Sequence, residues 1–270
     1  MGTDILPPVD FADLTLAQWR SLDMSAARRL SQQVADQVGG RISAVRSAEH
    51  NGAPLHQVAI ERGGHLFALV PGGQTVVGYD VERWQPNAQL LAHYREQTLS
   101  GGFGFPADPR DLLAPRRTVT LPTLLVAVES QHLTVPPDQT PKALAERELR
   151  MPSPDEWEHA CGTGATTLWW WAEECPLDRS PYGYPEGPHD RLNAFGLHIA
   201  HEVYAAEVTS DPTVIKGEDG GEAVCGGYGS FVEWLPLATA NRNSNMAEFI
   251  HGPEGEDMYG DLCTRPVIEI

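Results

Sequence analysis

The segment MPSPDEWEHAC (151–161) carries the clearest structural signal in the sequence. Ser153 is a natural N-cap, Pro154 suits the first helical position, and Glu156 completes a capping box with the serine. The apolar residues that follow, Trp157 among them, are spaced to face a protein core. The sequence therefore predicts a short helix that begins at Ser153 and packs inward.

A second helix is predicted near the N-terminus, over residues 25–38. Ser25 is a suitable N-cap, and apolar residues recur at four-residue intervals from Ala26 to Val38. The pair Gly39-Gly40 ends the pattern. Another helical stretch is predicted over residues 87–99.

Short strands are predicted on both sides of these helices. The expected strands are Ile42–Arg46, Leu55–Ile60, Leu66–Val70, Thr118–Leu121, Leu124–Val128 and Pro266–Ile270. Asn51-Gly52 is typical of a hairpin turn between the first two. Beyond residue 161 the sequence is rich in glycine and aromatic residues, which favours irregular loops.

Composition excludes several classes of protein. The 270 residues include 37 acidic and 19 basic side chains, for a net charge of −18, and no run of Lys or Arg exceeds two. Nucleic acids and anionic membranes attract basic patches, so neither is an expected partner. The first twenty residues lack a signal-peptide pattern and no apolar run is long enough to span a bilayer, so a cytoplasmic location is expected. The four cysteines match no zinc-binding spacing and are expected to be reduced, structural thiols.

Seven segments, in order, resemble the formylglycine-generating enzyme, or sulfatase-modifying factor, family. They are FALVPGGQTVVGYD (67–80), RRTVTLPTLLVAVE (116–129), RMPSPDEWEHACG (150–162), LWWWAEECP (168–176), NAFGLHIAHEVYAAEVTSD (193–211), CGGYGSFVEWLPLATANR (225–242) and RPVIEI (265–270). The helix signature and the NAFGL stretch are the most specific. The resemblance implies an α+β, C-type-lectin-like fold over residues 66–270, with much irregular loop. Residues 1–65 then form a small α/β lead-in packed on that domain.

The resemblance also places 225–242 at the family's Gly-Gly core strand, after which its copper-dependent oxidases carry two cysteines. Soft thiolates are suited to Cu(I). Here residues 228–244 contain no cysteine, Cys225 precedes the glycines, and Cys263 lies in the closing strand. Copper is therefore not expected, whereas a divalent cation stays open as a cofactor.

Other metal sites follow from the same comparison with the family. Its calcium cage is expected to be degraded, because Val203-Tyr204-Ala205 replaces an amide and a glycine. The acidic loop KGEDGGEAV (216–224) offers an alternative cation site, although a solvated surface loop is the favoured interpretation. A related branch of iron-dependent sulfoxide synthases carries a three-His iron domain, for which the N-terminal segment lacks a helical His pair.

Metal-ligand candidates remain at His198, His201 and Glu207, with Glu202 adjacent to His201. The spacing of the two histidines would put both rings on one helical turn. Ordinary packing with hydrogen bonds to the backbone is the favoured alternative for both.

Five residues are predicted to bind a ligand beside the Gly-Gly strand: Tyr228, Trp234, Asn241, Arg242 and Asn243. The rings offer stacking surface and the guanidinium offers directed donors. A structural salt bridge is an equally good interpretation of Arg242. Most other aromatic residues of the loop-rich half, such as Trp169–Trp171, are expected in the core.

The leading functional hypothesis is a binding or accessory protein that holds a small polar molecule or a protein segment. The alternative is a metal-dependent oxidase, or another enzyme with changed chemistry on the same scaffold. A purely structural interaction module is the third hypothesis. Fold alone does not separate them, because function depends on the site.

Overall fold

The computed structural model describes residues 11, 14–50, 52–86, 88–101, 105–182, 184, 186–199, 204–253 and 259–270. It has a mixed α/β architecture of mainly antiparallel sheets joined by long irregular connections. Its α-helices are α1 (Leu16–Ser21), α2 (Met24–Gln37), α3 (Ala88–Gly101), α4 (Thr140–Ala145), α5 (Pro154–Gly162), α6 (Glu222–Gly226), α7 (Ser230–Trp234) and α8 (Ser244–His251).

Its strands are β1 (Arg41–His50), β2 (Ala53–Arg62), β3 (His65–Val70), β4 (Gly73–Val77), β5 (Arg117–Leu121), β6 (Leu124–Ala127), β7 (Gln131–His132), β8 (Ala206–Val208), β9 (Ile215–Lys216), β10 (Leu262–Thr264) and β11 (Val267–Glu269). Five form an antiparallel sheet in the order β1-β2-β3-β6-β11. A second sheet has the order β7-β10-β8-β9, in which β10 and β8 are parallel, and β4 pairs with β5.

The helix predicted from Ser153 is confirmed as α5. The Ser153 hydroxyl accepts a hydrogen bond from the Glu156 amide at 3.2 Å, and the Glu156 carboxylate accepts one from the Ser153 amide at 2.7 Å. Arg150 pairs with the same carboxylate at 2.7 Å and reaches Glu269 of β11 at 2.8 Å. The capping box therefore also connects α5 to the five-stranded sheet.

The N-terminal helix is present as α2, but its cap differs from the prediction. Asp23, rather than Ser25, accepts a hydrogen bond from the Ala26 amide at 2.7 Å. Ser25 instead lies within the helix and accepts from Arg29 on its exposed side. The buried stripe of α2, which includes Leu30 and Val34, packs over β1 and β2.

The lead-in and the main region share one sheet. β2 and β3 are neighbours in the five-stranded sheet and are joined by the turn at Gly63-Gly64. The expected boundary between residues 65 and 66 thus falls next to a hairpin turn. Asn51, the first residue of the other predicted hairpin turn, lies outside the described residues.

One local expectation from the family resemblance is wrong. Residues 225–242 do not form a core strand, because they contain the end of α6, α7 and a 3-10 turn at Leu235–Leu237. The strands that flank β8 are β9, which precedes this segment, and β10, which follows it. Left-handed glycines on both sides of α6, at Gly221 and Gly227, bend the chain away from extended structure.

Candidate functional site

A cleft of ≈ 770 Å³ lies beside the end of β4. Its aromatic lining comes from three segments distant in sequence, which contribute Tyr79 and Trp84, Trp169, and Phe231. Its charged lining consists of Asp80, Arg83, Arg116, Glu173 and Glu174. We refer to it as the Tyr79 cleft. Its volume lies within the range typical of small-molecule sites, about 300–1,000 Å³.

The strand end before Tyr79 fixes one side of the cleft. The Tyr79 amide donates to the Ala114 carbonyl at 2.9 Å, and the Arg116 amide donates to the Tyr79 carbonyl at 2.8 Å. Gly78 permits this approach, since its φ is +77° and an added Cβ would lie 2.2 Å from the Pro115 oxygen. Close backbone packing therefore positions both Tyr79 and Arg116.

The hydroxyl of Tyr79 connects to the opposite side of the cleft. Its hydroxyl donates a hydrogen bond to Glu173, whose other oxygen accepts from the Leu168 amide at 3.2 Å. Burial, followed by the proximity of Glu173, raises the pKa of Tyr79 above the usual tyrosine value. The phenol therefore stays protonated at neutral pH and remains a donor to the carboxylate.

Three of the aromatic side chains of the lining are in contact with one another. The rings of Tyr79 and Trp84 meet edge-on at 6.0 Å, and those of Trp84 and Phe231 lie 6.4 Å apart. Trp169 is held by a hydrogen bond from its indole nitrogen to the Trp234 carbonyl at 2.8 Å. A second cavity of ≈ 460 Å³ along α3 shares Leu90, Leu177 and Phe231 with the cleft.

The charges of the cleft are not all neutralised internally. Arg83 pairs with Asp80 at 3.4 Å, and both oxygens of Glu173 are occupied as described above. Arg116 and Glu174 are exposed, and no ion pair or side-chain hydrogen bond joins either of them to another described residue. One guanidinium and one carboxylate are thus available to a ligand.

One cysteine, Cys175, contributes to the cleft wall. It is half-buried, and burial raises the pKa of its thiol to about 12. The group is therefore a neutral thiol rather than a thiolate at physiological pH, which makes it a weak nucleophile and a weak metal ligand.

The five predicted ligand residues do not line this cleft. Tyr228 and Trp234 are 1% and 0% exposed, and the Trp234 indole donates to the Arg179 carbonyl at 2.9 Å. Asn241 and Asn243 border a cavity of only ≈ 10 Å³. The rings of Tyr228 and Trp234 are packed into the core. Phe231, which lies between them in sequence, is also only 1% exposed but borders the cleft.

The polar members of this set have structural contacts. Asn243 caps α8 by accepting from the Met246 amide at 2.9 Å, and it donates to Glu222 at 2.9 Å. The Arg242 guanidinium lies 3.9 Å from Glu158, with its side chain 37% exposed. The geometry of Arg242 thus fits the salt-bridge interpretation.

The described metal-ligand candidates point in different directions. The Glu207 carboxylate accepts from Arg265 at 2.6 and 3.0 Å and from the Trp157 indole at 2.7 Å. The His198 ring lies between Glu129 and Asp190, 3.2 Å from each. His201 and Glu202 lie outside the described residues. Where the chain is described, no group of three His, Cys, Asp or Glu side chains is arranged to hold a metal ion.

The acidic loop (216–224) is not the solvated surface loop that its composition suggested. Glu218 and Asp219 are 4% and 2% exposed, and Glu222 is partly buried. Asp219 accepts from the Gly221 and Ala223 amides, both at 3.0 Å. These backbone donors explain the burial, because the local turn supplies the hydrogen bonds that water would otherwise make.

Sequence reasoning did not find the cleft, although part of the signal was present. The turn Gly78-Tyr79-Asp80 and the aromatic-acidic run 169–174 both lie in segments that carry the family resemblance. Nothing in the sequence showed that the two are in contact. The contact depends on the Tyr79 hydroxyl and on Phe231, which come from separate parts of the chain.

Comparison of the sequence with models of known protein families gives no match, and comparison with curated proteins gives none. None of the helices in the described ranges has both the length and the apolar character needed to cross a bilayer.

Proposed function

We propose that this protein is a divergent member of the formylglycine-generating enzyme family, with a C-type-lectin-like domain, that binds a small polar molecule or a protein segment. The ligand occupies the Tyr79 cleft, and the protein does not oxidise cysteine with copper. The observation that carries the proposal is the cleft itself, which combines an aromatic wall with an available guanidinium and carboxylate. Such a combination of apolar surface and a few directed polar groups is typical of ligand sites.

The arrangement of the elements supports the family part of the proposal. The opening strand β3 and the closing strand β11 both pair with β6, which places them in one sheet. The capped helix α5 follows β6 and precedes β11, in the same order as the segments that carry the resemblance.

The chemistry of the cleft supports binding rather than copper-dependent oxidation. A copper oxidase of this family needs two thiolates, and the sequence has no cysteine between residues 226 and 262. Cys175, which does line the cleft, is held as a neutral thiol. Copper-loaded protein is therefore expected not to convert the cysteine of a sulfatase-type peptide to formylglycine, and measurable conversion would contradict this part of the proposal.

A ligand screen by calorimetry and thermal unfolding tests the binding site. Small aromatic and polar molecules are compared on the wild type and on Trp84→Ala, which removes a wall of the cleft. Tyr182→Ala is the control, because Tyr182 is 54% exposed and lies away from the cleft lining. A ligand at a hundred times its Kd should stabilise the wild type by about 2.7 kcal/mol. Binding that Trp84→Ala leaves intact would place the site elsewhere.

A further inference from the structure

We infer that the Tyr79 cleft takes a zwitterion with an apolar body: an aromatic amino acid, or a short apolar peptide with free termini. This inference rests on the proposed function and adds the chemical class of the ligand. The carboxylate pairs with Arg116, the ammonium pairs with Glu174, and the apolar part lies against Trp84 and Leu177, the more accessible apolar side chains of the lining.

The charge inventory of the cleft carries the first step. Three of its five charged side chains already have partners: Arg83 with Asp80, and Glu173 with Tyr79 and the Leu168 amide. The two that remain, Arg116 and Glu174, have opposite signs. A ligand with a single charge would pair with one of them and leave the other to water, whereas a zwitterion pairs with both.

The position of the two charges carries the second step. The Arg116 amide is bonded to the backbone of Tyr79, whereas Glu174 directly follows the carboxylate that binds the Tyr79 hydroxyl. The tyrosine side chain therefore spans the distance between the two sides of the cleft. The ammonium and carboxylate of an amino acid share one carbon, so such a ligand is met from the two sides by the long side chains of Glu174 and Arg116. The termini of a dipeptide lie farther apart and reach the same two side chains separately.

The type of each charged group carries the third step. A guanidinium offers paired N–H donors that match a carboxylate, and a carboxylate accepts hydrogen bonds from an ammonium group. Aromatic rings contribute apolar contact with preferred edge-on or offset packing. The neighbouring cavity along α3 leaves space for a second residue of a peptide.

The experiment measures the affinity of a matched series of probes by calorimetry. Phenylalanine carries both charges, phenethylamine lacks the carboxylate, 3-phenylpropionate lacks the ammonium, and propylbenzene lacks both. Phenylalanyl-phenylalanine with free termini represents the peptide. Each probe is tested on the wild type, Arg116→Gln and Glu174→Gln, with Arg83→Gln as the control for a cleft arginine that already has a partner.

Each glutamine variant should lose affinity only for the probes that carry the charge its native side chain binds. Arg116→Gln should weaken the affinity for phenylalanine and for 3-phenylpropionate by about tenfold or more, as expected for a hydrogen bond between charged groups. It should leave the affinity for phenethylamine unchanged. Glu174→Gln should weaken phenylalanine and phenethylamine and leave 3-phenylpropionate unchanged. Arg83→Gln should weaken none by as much. Tighter binding of phenylalanine assigns a free amino acid, and tighter binding of the dipeptide assigns peptide termini.

Other outcomes overturn the inference in distinguishable ways. One such outcome is that propylbenzene binds as well as phenylalanine and that neither Arg116→Gln nor Glu174→Gln changes any affinity. If Trp84→Ala then abolishes binding, the cleft is a ligand site but not for zwitterions. If no probe binds and the screen with Trp84→Ala also finds no ligand, the proposed function fails together with the inference.

Discussion

The ammonium of Lys216 lies 2.6 Å from the carboxylate of Glu158, and the two side chains are 1% and 0% exposed. Lys216 also donates to the Asn241 carbonyl at 2.8 Å, and the other oxygen of Glu158 accepts from Arg117 at 3.1 Å. Burial lowers the pKa of Lys216 below the usual lysine value, while the adjacent Glu158 opposes that shift. This buried pair connects helix α5 to strand β9.

Removing one partner of this pair should be costly. Glu158→Gln leaves the Lys216 ammonium buried without its counter-charge, so the free energy of unfolding should fall by about 3–5 kcal/mol. Chemical denaturation measures the change. The matched control is Glu61→Gln, which breaks the exposed Arg41–Glu61 pair and should cost no more than about 1 kcal/mol. Equal effects of the two substitutions would show that burial does not govern this pair.

Two serines test the difference between a suspected and an observed helix cap. Ser153→Ala removes half of the capping box of α5 and should lower the free energy of unfolding by about 1 kcal/mol, within a range of about 0.5–2. Ser25→Ala should change it by less than about 0.5 kcal/mol, because Asp23 is the cap of α2. A larger loss from Ser25→Ala than from Ser153→Ala would contradict both assignments.

Two glycines separate backbone strain from steric contact. Gly52 and Gly78 both have positive φ, but an added Cβ at Gly52 meets nothing within 4 Å. Gly52→Ala should lower the free energy of unfolding by about 1–2 kcal/mol, because a residue with a side chain is strained in a left-handed conformation. Gly78→Ala should lower the free energy of unfolding by clearly more, because its Cβ would also clash with the Pro115 oxygen. Thermal unfolding compares the two, and equal losses would mean that the chain beside Tyr79 is not closely packed.

Local signals in the sequence predicted the elements well where a cap or a period defines them. The capping box at Ser153 and the four-residue period of α2 needed no knowledge of distant contacts. The helices α6 and α7 were missed because they are short and flanked by glycines, and because the resemblance placed a strand there. The helix α8 was missed although Asn243 caps it, since Asn243 was taken for a ligand residue. α7, for example, begins after Gly229 and continues into a 3-10 turn at Leu235.

The site was harder to predict than the fold, for a physical reason. Tyr228 and Trp234 were chosen as ligand residues from their type, but a large ring serves equally well in a core. Only the folded chain shows that Phe231, which lies between them in sequence and is equally buried, borders the cleft. For the acidic loop the wrong prediction was exposure rather than burial. Its composition suggested a solvated loop, whereas backbone amides stabilise Asp219 in a buried position.

The buried carboxyl of Asp219 makes stability depend on pH. Burial raises its pKa from 3.8 to about 6, while hydrogen bonds from backbone amides oppose the shift. Below about pH 4 the group is protonated in both the folded and unfolded states and has no effect. Above about pH 6 it is ionised in both, and the folded state then bears the cost of a buried charge. The contribution of Asp219 to the free energy of unfolding should therefore fall by about 3 kcal/mol in total, with most of the fall between pH 4 and pH 6.

Comparison with Asp219→Asn isolates this contribution, because the substituted side chain does not ionise. The free energy of unfolding of the wild type minus that of the variant is measured by denaturation at several pH values, so that the effects of most other carboxylates cancel. The difference should decline across the window from pH 4 to pH 6. Asp178→Asn is the control: the pKa of this exposed carboxyl is lowered by Arg179, so any change with pH should have the opposite sign. A flat difference for Asp219→Asn would mean that Asp219 titrates near its ordinary value and that the loop opens to water around it.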